Sequence, residues 1–311
     1  MTGTTTPPPL LKRLKRALRY GVIRVALALV GWLPARALSE LGDAVGRLAY
    51  LVAVTDRRRA LESLQVAFPH LSEAERRALA RACFRHLGRM TAELVAIEEL
   101  DRDIDDWVVW APDSRAVLDQ ALKRGRGVVF VSGHVGAWEL LARRVALAGY
   151  RASSIAKEAP DARLTALIER FRASGRLQTI WRGRPGAARA MLAVLKAGGI
   201  LGLLIDQDTD VQSVFVPFFG RLAKTPLAAA ELALRTQAPL VLGFCHRVDG
   251  RYRLTMREVN TDALQHDEAG VHALTAQLTE AIELAIRTHP EQWVWMHRRW
   301  KSRPGVAPGG R

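Results

Sequence analysis

Residues 127–148 read GVVFVSGHVGAWELLARRVALA. The first six form a short apolar run rich in β-branched residues, which predicts a buried strand. WELLARRVALA then repeats apolar side chains at helical spacing. Between the two, Gly133 and Gly136 tolerate a bend. His134 and Glu139 sit at this junction. On one continuous helix, five steps of roughly 100° would leave them about 140° apart. On one continuous strand, their odd separation would put them on opposite faces. Only a bend lets them meet, so the stretch predicts a strand, a glycine corner and a helix.

The same grammar repeats downstream. SSIAK (153–157), LQTIW (177–181), ILGLLI (200–205), LVLGFC (240–245) and RYRLTM (251–256) are strand candidates. Helical segments such as DARLTALIERFRA, AARAMLAVLKAG and LAAAELALRT lie between most of them. Thr225 followed by Pro226 suits an N-cap and first turn. Such alternation predicts an α/β fold, a mainly parallel sheet flanked by helices. Upstream, the pattern from Leu10 to about Arg102 is helical, broken at Pro69, with Ser72 and Glu75 spaced as a capping box. A last helix is expected from about Ala269 to Arg287. The organisation expected is a disordered stretch at 1–9, a membrane-associating helical region at 10–110, an α/β domain at 111–303 and a flexible tail at 304–311.

With 311 residues and 49% hydrophobic content, the chain can bury a large core. Its two cysteines, Cys83 and Cys245, lie far apart without metal-ligand spacing, which excludes a disulfide framework and suits a reducing compartment. The formal net charge is +15, a sign suited to nucleic acid, an anionic membrane or an acidic partner. Lys12, Arg13, Lys15, Arg16 and Arg19 precede an apolar stretch, Tyr20 to Leu33, whose only charge is Arg24. A basic cluster beside an apolar helix is the pattern of an anionic-membrane contact. No helix-turn-helix, zinc-finger or ribonucleoprotein motif accompanies it, so no nucleic-acid partner is expected. The stretch is shorter than the roughly 20 residues of a bilayer span. It is expected to lie in the membrane surface or to anchor marginally; an ordinary buried helix is the alternative.

In parallel sheets, functional groups gather where strands end and helices begin. His134 lies just past a strand's carboxyl end, and Glu139 falls in the first turn of the next helix. A carboxylate there can take the imidazole Nδ1–H and leave Nε2 as a base. The plainer alternative is that His134 caps the helix and Glu139 favours its dipole. No G-x-S-x-G elbow supplies a nucleophile, so a substrate hydroxyl would attack, as in transfer from an activated ester. A metal hydrolase would need H-E-x-x-H or a third clustered ligand, and neither is present.

The segment resembles the H-x4-D/E motif of the lysophospholipid acyltransferase superfamily, and within it the lipid A biosynthesis late (lauroyl/myristoyl) acyltransferase family. Matching stretches run in order along most of the chain: RRRALESLQVAFPHLSEAE, VSGHVGAWEL, SGRLQ, IDQD with SVFVPFFG, KTPLAAAELALRTQAPLV and PEQWVWMHRRWKSRP. The resemblance implies an enzyme that moves an acyl group from acyl carrier protein or acyl-CoA, as co-substrate and without a cofactor, to an anionic lipid acceptor. A lipid A precursor is the first choice of acceptor, at the cytoplasmic face of the inner membrane. Carried over by residue, His134 is the base, Glu139 its partner, Arg176 of SGRLQ the family's arginine with Arg184 as fallback, and Asp206 of IDQD its aspartate.

Arg176 could stabilise a developing oxyanion or hold a phosphate, or be a surface arginine. Asp206 would order Arg176 or His134, or cap a loop. SVFVPFFG would line a path for acyl chain or membrane, or form a core strand. Arg298 and Arg299, interleaved with Trp293, Trp295 and Trp300, suit phosphate contact at a headgroup boundary, or packing beneath a basic edge. The family's site commonly reads G-H-[FVL]-G-N-W-E, and Ala137 stands here where Asn is usual; Ser63 stands before Leu64 where Asn is common. Acylation of another lipid, a glycerophospholipid or phosphatidylinositol mannoside, is the neighbouring expectation. A non-catalytic basic membrane-surface or nucleic-acid-binding protein is the one from another class.

Overall fold

The computed structural model describes residues 28–305 continuously, and before them residues 17, 18, 20, 21 and 25. The stretch expected to be disordered (1–9), the basic cluster from Lys12 to Arg19 and residues 306–311 of the expected tail lie outside the described residues. Helices lead: α1 (Ala35–Val52), α2 (Val54–Ala67), α3 (Glu73–Glu93), α4 (Ile97–Arg102) and α5 (Ile104–Trp107). The capping box forms at the start of α3. Ser72 Oγ accepts from the Glu75 N–H, and the Glu75 carboxylate accepts from the Ser72 N–H. Pro69 follows the end of α2, as a residue without an N–H should.

Strands and helices then alternate: β1 (Val108–Trp110), α6 (Ser114–Lys123), β2 (Val128–Ser132), α7 (Trp138–Leu147), β3 (Ala152–Lys157), α8 (Ala162–Ser174), β4 (Gln178–Arg182), α9 (Ala187–Lys196) and β5 (Ile200–Leu204). After them come β6 (Ser213–Phe218), β7 (Arg221–Pro226), α10 (Ala228–Thr236), β8 (Leu240–Val248), β9 (Arg251–Val259) and α11 (Glu268–Thr288). Seven strands form one sheet in the order β1-β9-β8-β2-β5-β3-β4. From β8 to β4 the strands are parallel; β9 runs antiparallel to β8 and carries β1 parallel to itself. All six expected strands are present, in a mainly parallel sheet flanked by helices.

The centre of the sheet is dry on both faces, as helices on either side require. Along β2, Val129 and Val131 enter one core while Val128 and Phe130 enter the other. The β2–β5 register ends at Ser132 opposite Leu204, and the Ile205 N–H still reaches the Ser132 carbonyl at 3.3 Å. Two residues past that final pair, the chain has reached His134 on one strand and Asp206 on the other. This register delivers the site.

Thr225 and Pro226 do not start a helix. They end β7, paired with Val214 and Ser213 of β6, and α10 begins at Ala228. Hairpin pairing satisfies this backbone and overrides the local N-cap signal. SVFVPFFG is β6 and its turn, with Phe218 and Phe219 buried against Trp293, Trp295 and Phe68. Of its two readings, the core strand is the one the structure adopts. Cys83 and Cys245 are both free and buried. Burial pushes the Cys83 thiol up to about 12, so it is inert packing.

α1 packs closely on α3, where a Cβ on Gly42 would lie 2.4 Å from the Gly88 carbonyl oxygen. Asp43 turns into that contact and pairs with Arg47, Arg85 and Arg89. Of the two charges that interrupt the apolar residues 41–54, Asp43 is therefore turned inward, while Arg47 stays exposed. The outer face presents Val45, Leu48 and Val52 at 54, 58 and 67% exposure. Among the described residues, no helix is long and apolar enough to cross a membrane.

Candidate active site

Gly136 makes the corner between β2 and α7. Its φ is +61°, and a Cβ there would come within 2.0 Å of the Cys245 carbonyl oxygen. A side chain is excluded twice, by backbone conformation and by space. The loop is pinned from below: the Gly136 N–H donates to the Gln292 carbonyl at 2.7 Å, and the Ala137 N–H to that of Cys245 at 2.8 Å. Gly133 lies against Asp206, whose Cγ would be 3.2 Å from an added Cβ.

The bend brings His134 to Asp206, not to Glu139. His134 Nδ1 lies 2.8 Å from Asp206 Oδ1, and the His134 backbone N–H donates to Oδ2 at 2.8 Å. Trp293 Nε1–H donates to the same Oδ2 at 2.8 Å. Burial pulls the Asp206 carboxyl upward, but the His134 charge and the hydrogen bonds from His134 and Trp293 outweigh it and hold the group at about 2. An ionised carboxylate can only accept, so Nδ1 presents a proton to it, and in the neutral imidazole Nε2 is left with the lone pair. No protein group among the described residues bonds Nε2, which faces a cleft of about 560 Å³.

The expected contact between His134 and Glu139 is not made. α7 begins at Trp138, and Glu139, in its first turn, faces α8. There Arg172 grips it in a fork, Nε to Oε2 at 3.1 Å and Nη2 to Oε1 at 2.5 Å, and Arg172 Nη1 donates to Ser154 Oγ at 3.3 Å. The Trp138 ring stands edge-on to His134, centroids 5.1 Å apart. His134, Glu139 and Arg172 all line the cleft.

Arg176 is elsewhere. It follows the C-terminus of α8 at φ +59°, exposed, ahead of the first residue of β4 and so at the opposite edge of the sheet from His134. Arg172, one helical turn earlier, is the arginine that reaches the cleft; the segment's two neighbouring arginines offered no local signal to separate them. Arg184 pairs with Glu158 and stacks over Trp181.

Arg299 is fully buried. It donates to the Lys224 carbonyl and to Thr225 Oγ1 and lies over the Phe218 ring, so it is packing and not a phosphate ligand. Burial lowers its guanidinium to about 10. Arg298 is exposed. Trp293 and Trp295 are buried too, because PEQWVWMHRRW folds beneath the glycine corner. Lys157, Arg182 and Arg235, which the sequence did not single out, also line the cleft. Beneath α7, an apolar chamber lined by Phe130, Val145 and Ile200 shares Trp138, Glu139 and Arg172 with the cleft.

Similarity to known proteins defines the class of the protein: the chain is an acyltransferase. It belongs to the bacterial lipid A biosynthesis acyltransferase family, whose sequence profile matches residues 9–302. It is 29% identical over 291 residues to the lipid A biosynthesis lauroyltransferase of Escherichia coli K12, with 91% of each chain covered. Over 284 residues it is 28% identical to the palmitoleoyltransferase of that organism, covering 88% of this chain and 87% of the relative. Over 289 residues it is 27% identical to the myristoyltransferase, covering 90% and 86%.

Proposed function

We propose that this protein is a membrane-surface O-acyltransferase that moves a fatty acyl group from an acyl carrier protein or coenzyme A thioester to a hydroxyl of a lipid A precursor. The observation that carries the mechanism is the His134–Asp206 pair, with Nε2 left open to the cleft. Nε2 takes the acceptor's hydroxyl proton as that oxygen attacks the thioester carbonyl. That attack forms the C–O bond of a tetrahedral intermediate, which collapses by restoring the carbonyl and breaking the C–S bond, and imidazolium returns the proton to the departing thiolate. A base so placed contributes about 10²–10⁴-fold. Arg172, steadied by Glu139, supplies positive charge for the developing oxyanion. The apolar chamber beneath α7, about 60 Å³, offers contact for only a small part of the fatty chain.

The exposed apolar stripe of α1 supports docking on the cytoplasmic face of the inner membrane, and the basic surface favours anionic lipid there. The test is incubation of purified wild type and His134→Ala with labelled acyl carrier protein and coenzyme A thioesters and a panel of lipid acceptors, with products identified by mass spectrometry. An ester product on the lipid A precursor that vanishes in His134→Ala is expected. Equal product from both proteins, or none with any acceptor, overturns the proposal.

A further inference from the structure

Lys157 and Arg182 are the last register pair between β3 and β4, at the edge of the sheet that carries His134. Like charges directly opposite on neighbouring strands repel, and among the described residues no carboxylate pairs with either of these two. The nearby carboxylates are taken: Glu139 by Arg172, Glu158 by Arg184 and Glu231 by His266. Arg182 has one neutral contact, Nη1 to Thr209 Oγ1 at 3.3 Å. Arg235 stands on the cleft's α10 wall, likewise without a carboxylate partner among the described residues. Among the described residues, the cleft thus holds three cations that form no ion pair, two of them side by side.

We propose that Lys157 and Arg182 form a subsite for a phosphate ester carried by a substrate. The proposal rests on the acyl-transfer reading of the cleft and adds to it a ligand group and its place. A guanidinium fork beside an ammonium point charge matches the several oxygens of a phosphate. Strands β2, β5, β3 and β4 are neighbours in that order. At roughly 4.8 Å per strand, the subsite stands about 10–14 Å from the end of β2. A phosphate held there lies several bonds from the reacting carbonyl and hydroxyl. Both substrates can carry such a group, the donor in its phosphopantetheine arm and the acceptor on its sugar.

The experiment compares wild type, Lys157→Ala/Arg182→Ala and a charge-matched control, Lys123→Ala/Arg126→Ala, whose residues lie just before β2 at the opposite sheet edge. KM is measured for a phosphorylated and a dephosphorylated disaccharide acceptor, and for acyl carrier protein and N-acetylcysteamine thioesters of one fatty acid. Binding of inorganic phosphate is measured separately by calorimetry. The cleft variant is expected to raise KM about tenfold or more for one phosphate-bearing substrate. Its phosphate-free analogue should show no such rise, and the control should stay near wild type. A rise confined to the phosphorylated acceptor assigns the site to the acceptor; one confined to the carrier-protein donor assigns it to the phosphopantetheine. Unchanged KM for both, with phosphate binding equal to wild type, overturns the subsite. Weakened phosphate binding in a protein whose wild type turns over no acceptor would sink the acyl-transfer reading while the subsite stands.

Discussion

His134 and Asp206, 72 positions apart in the chain, are joined twice: ring Nδ1 to Oδ1 and backbone N–H to Oδ2, each at 2.8 Å. One carboxylate thus fixes both the tautomer of the imidazole and the path of the loop that presents it. Asp206→Asn can turn its amide NH₂ toward Nδ1 and favour the wrong tautomer. Turnover should fall about 10²–10⁴-fold with little change in secondary structure. Steady-state kinetics beside circular dichroism read this, and near-wild-type turnover would remove Asp206 from the mechanism.

Glu139 and Arg172 should behave as a unit. Truncating either leaves a partly buried charge without its fork, so the double variant Glu139→Gln/Arg172→Ala should lose little more activity than the worse single variant. A coupling of about 1 kcal/mol or more is expected from the cycle. Arg172→Lys should not rescue, since a lysine cannot make the fork. Additive losses, or strong coupling of Glu139 to His134 instead, would restore the direct histidine–glutamate arrangement.

Stability should decline in mild acid. Burial lowers His86 and His246 from the ordinary imidazole value to about 4, helped by neighbouring positive groups. Between pH 6.5 and 4 the unfolded chain binds protons that the native one refuses, so stability is full above about 6.5 and lost as pH falls. Each histidine contributes on the order of 2–3 kcal/mol to that loss, which levels off below about 4. Urea titrations from pH 8 to 4 measure it. A flat profile, or one unchanged in His86→Gln, would contradict it.

The outer face of α1 should govern membrane binding. Val45→Asp/Leu48→Asp replaces two exposed side chains, so the fold should persist. Each side chain contributes about 1.5–3 kcal/mol when withdrawn from water, hence vesicle affinity should drop at least tenfold. Co-sedimentation with phosphatidylglycerol–phosphatidylethanolamine vesicles is the assay, and unaltered binding would assign attachment to another surface.

Much of the architecture could be read in one dimension because local patterns carry it. Apolar runs of strand length, helices at 3.6-residue spacing and the capping box at Ser72 and Glu75 all appear where expected. Thr225–Pro226 misled because a hairpin partner outbid a local cap. The outer stripe of α1 was obscured because Asp43 interrupts it in sequence but is turned inward in space.

His134 and its glycine corner are visible in ten residues, since a sharp bend demands glycine in the chain itself. Its acid partner lies outside them: the sequence offered Asp206 as ordering His134 beside other readings, and the fold makes that contact. Asp206 meets His134 only because β2 and β5 lie side by side in a register ending at Ser132 and Leu204, and strand order is a property of the assembled sheet. Which of Arg172 and Arg176 enters the cleft depends on where α8 stops, and the burial of Arg299 depends on a tail that folds under the corner. Periodicity is local chemistry and survives in the letters; pairing across the sheet and the cores is set by packing between distant segments, and exists only once the chain has folded.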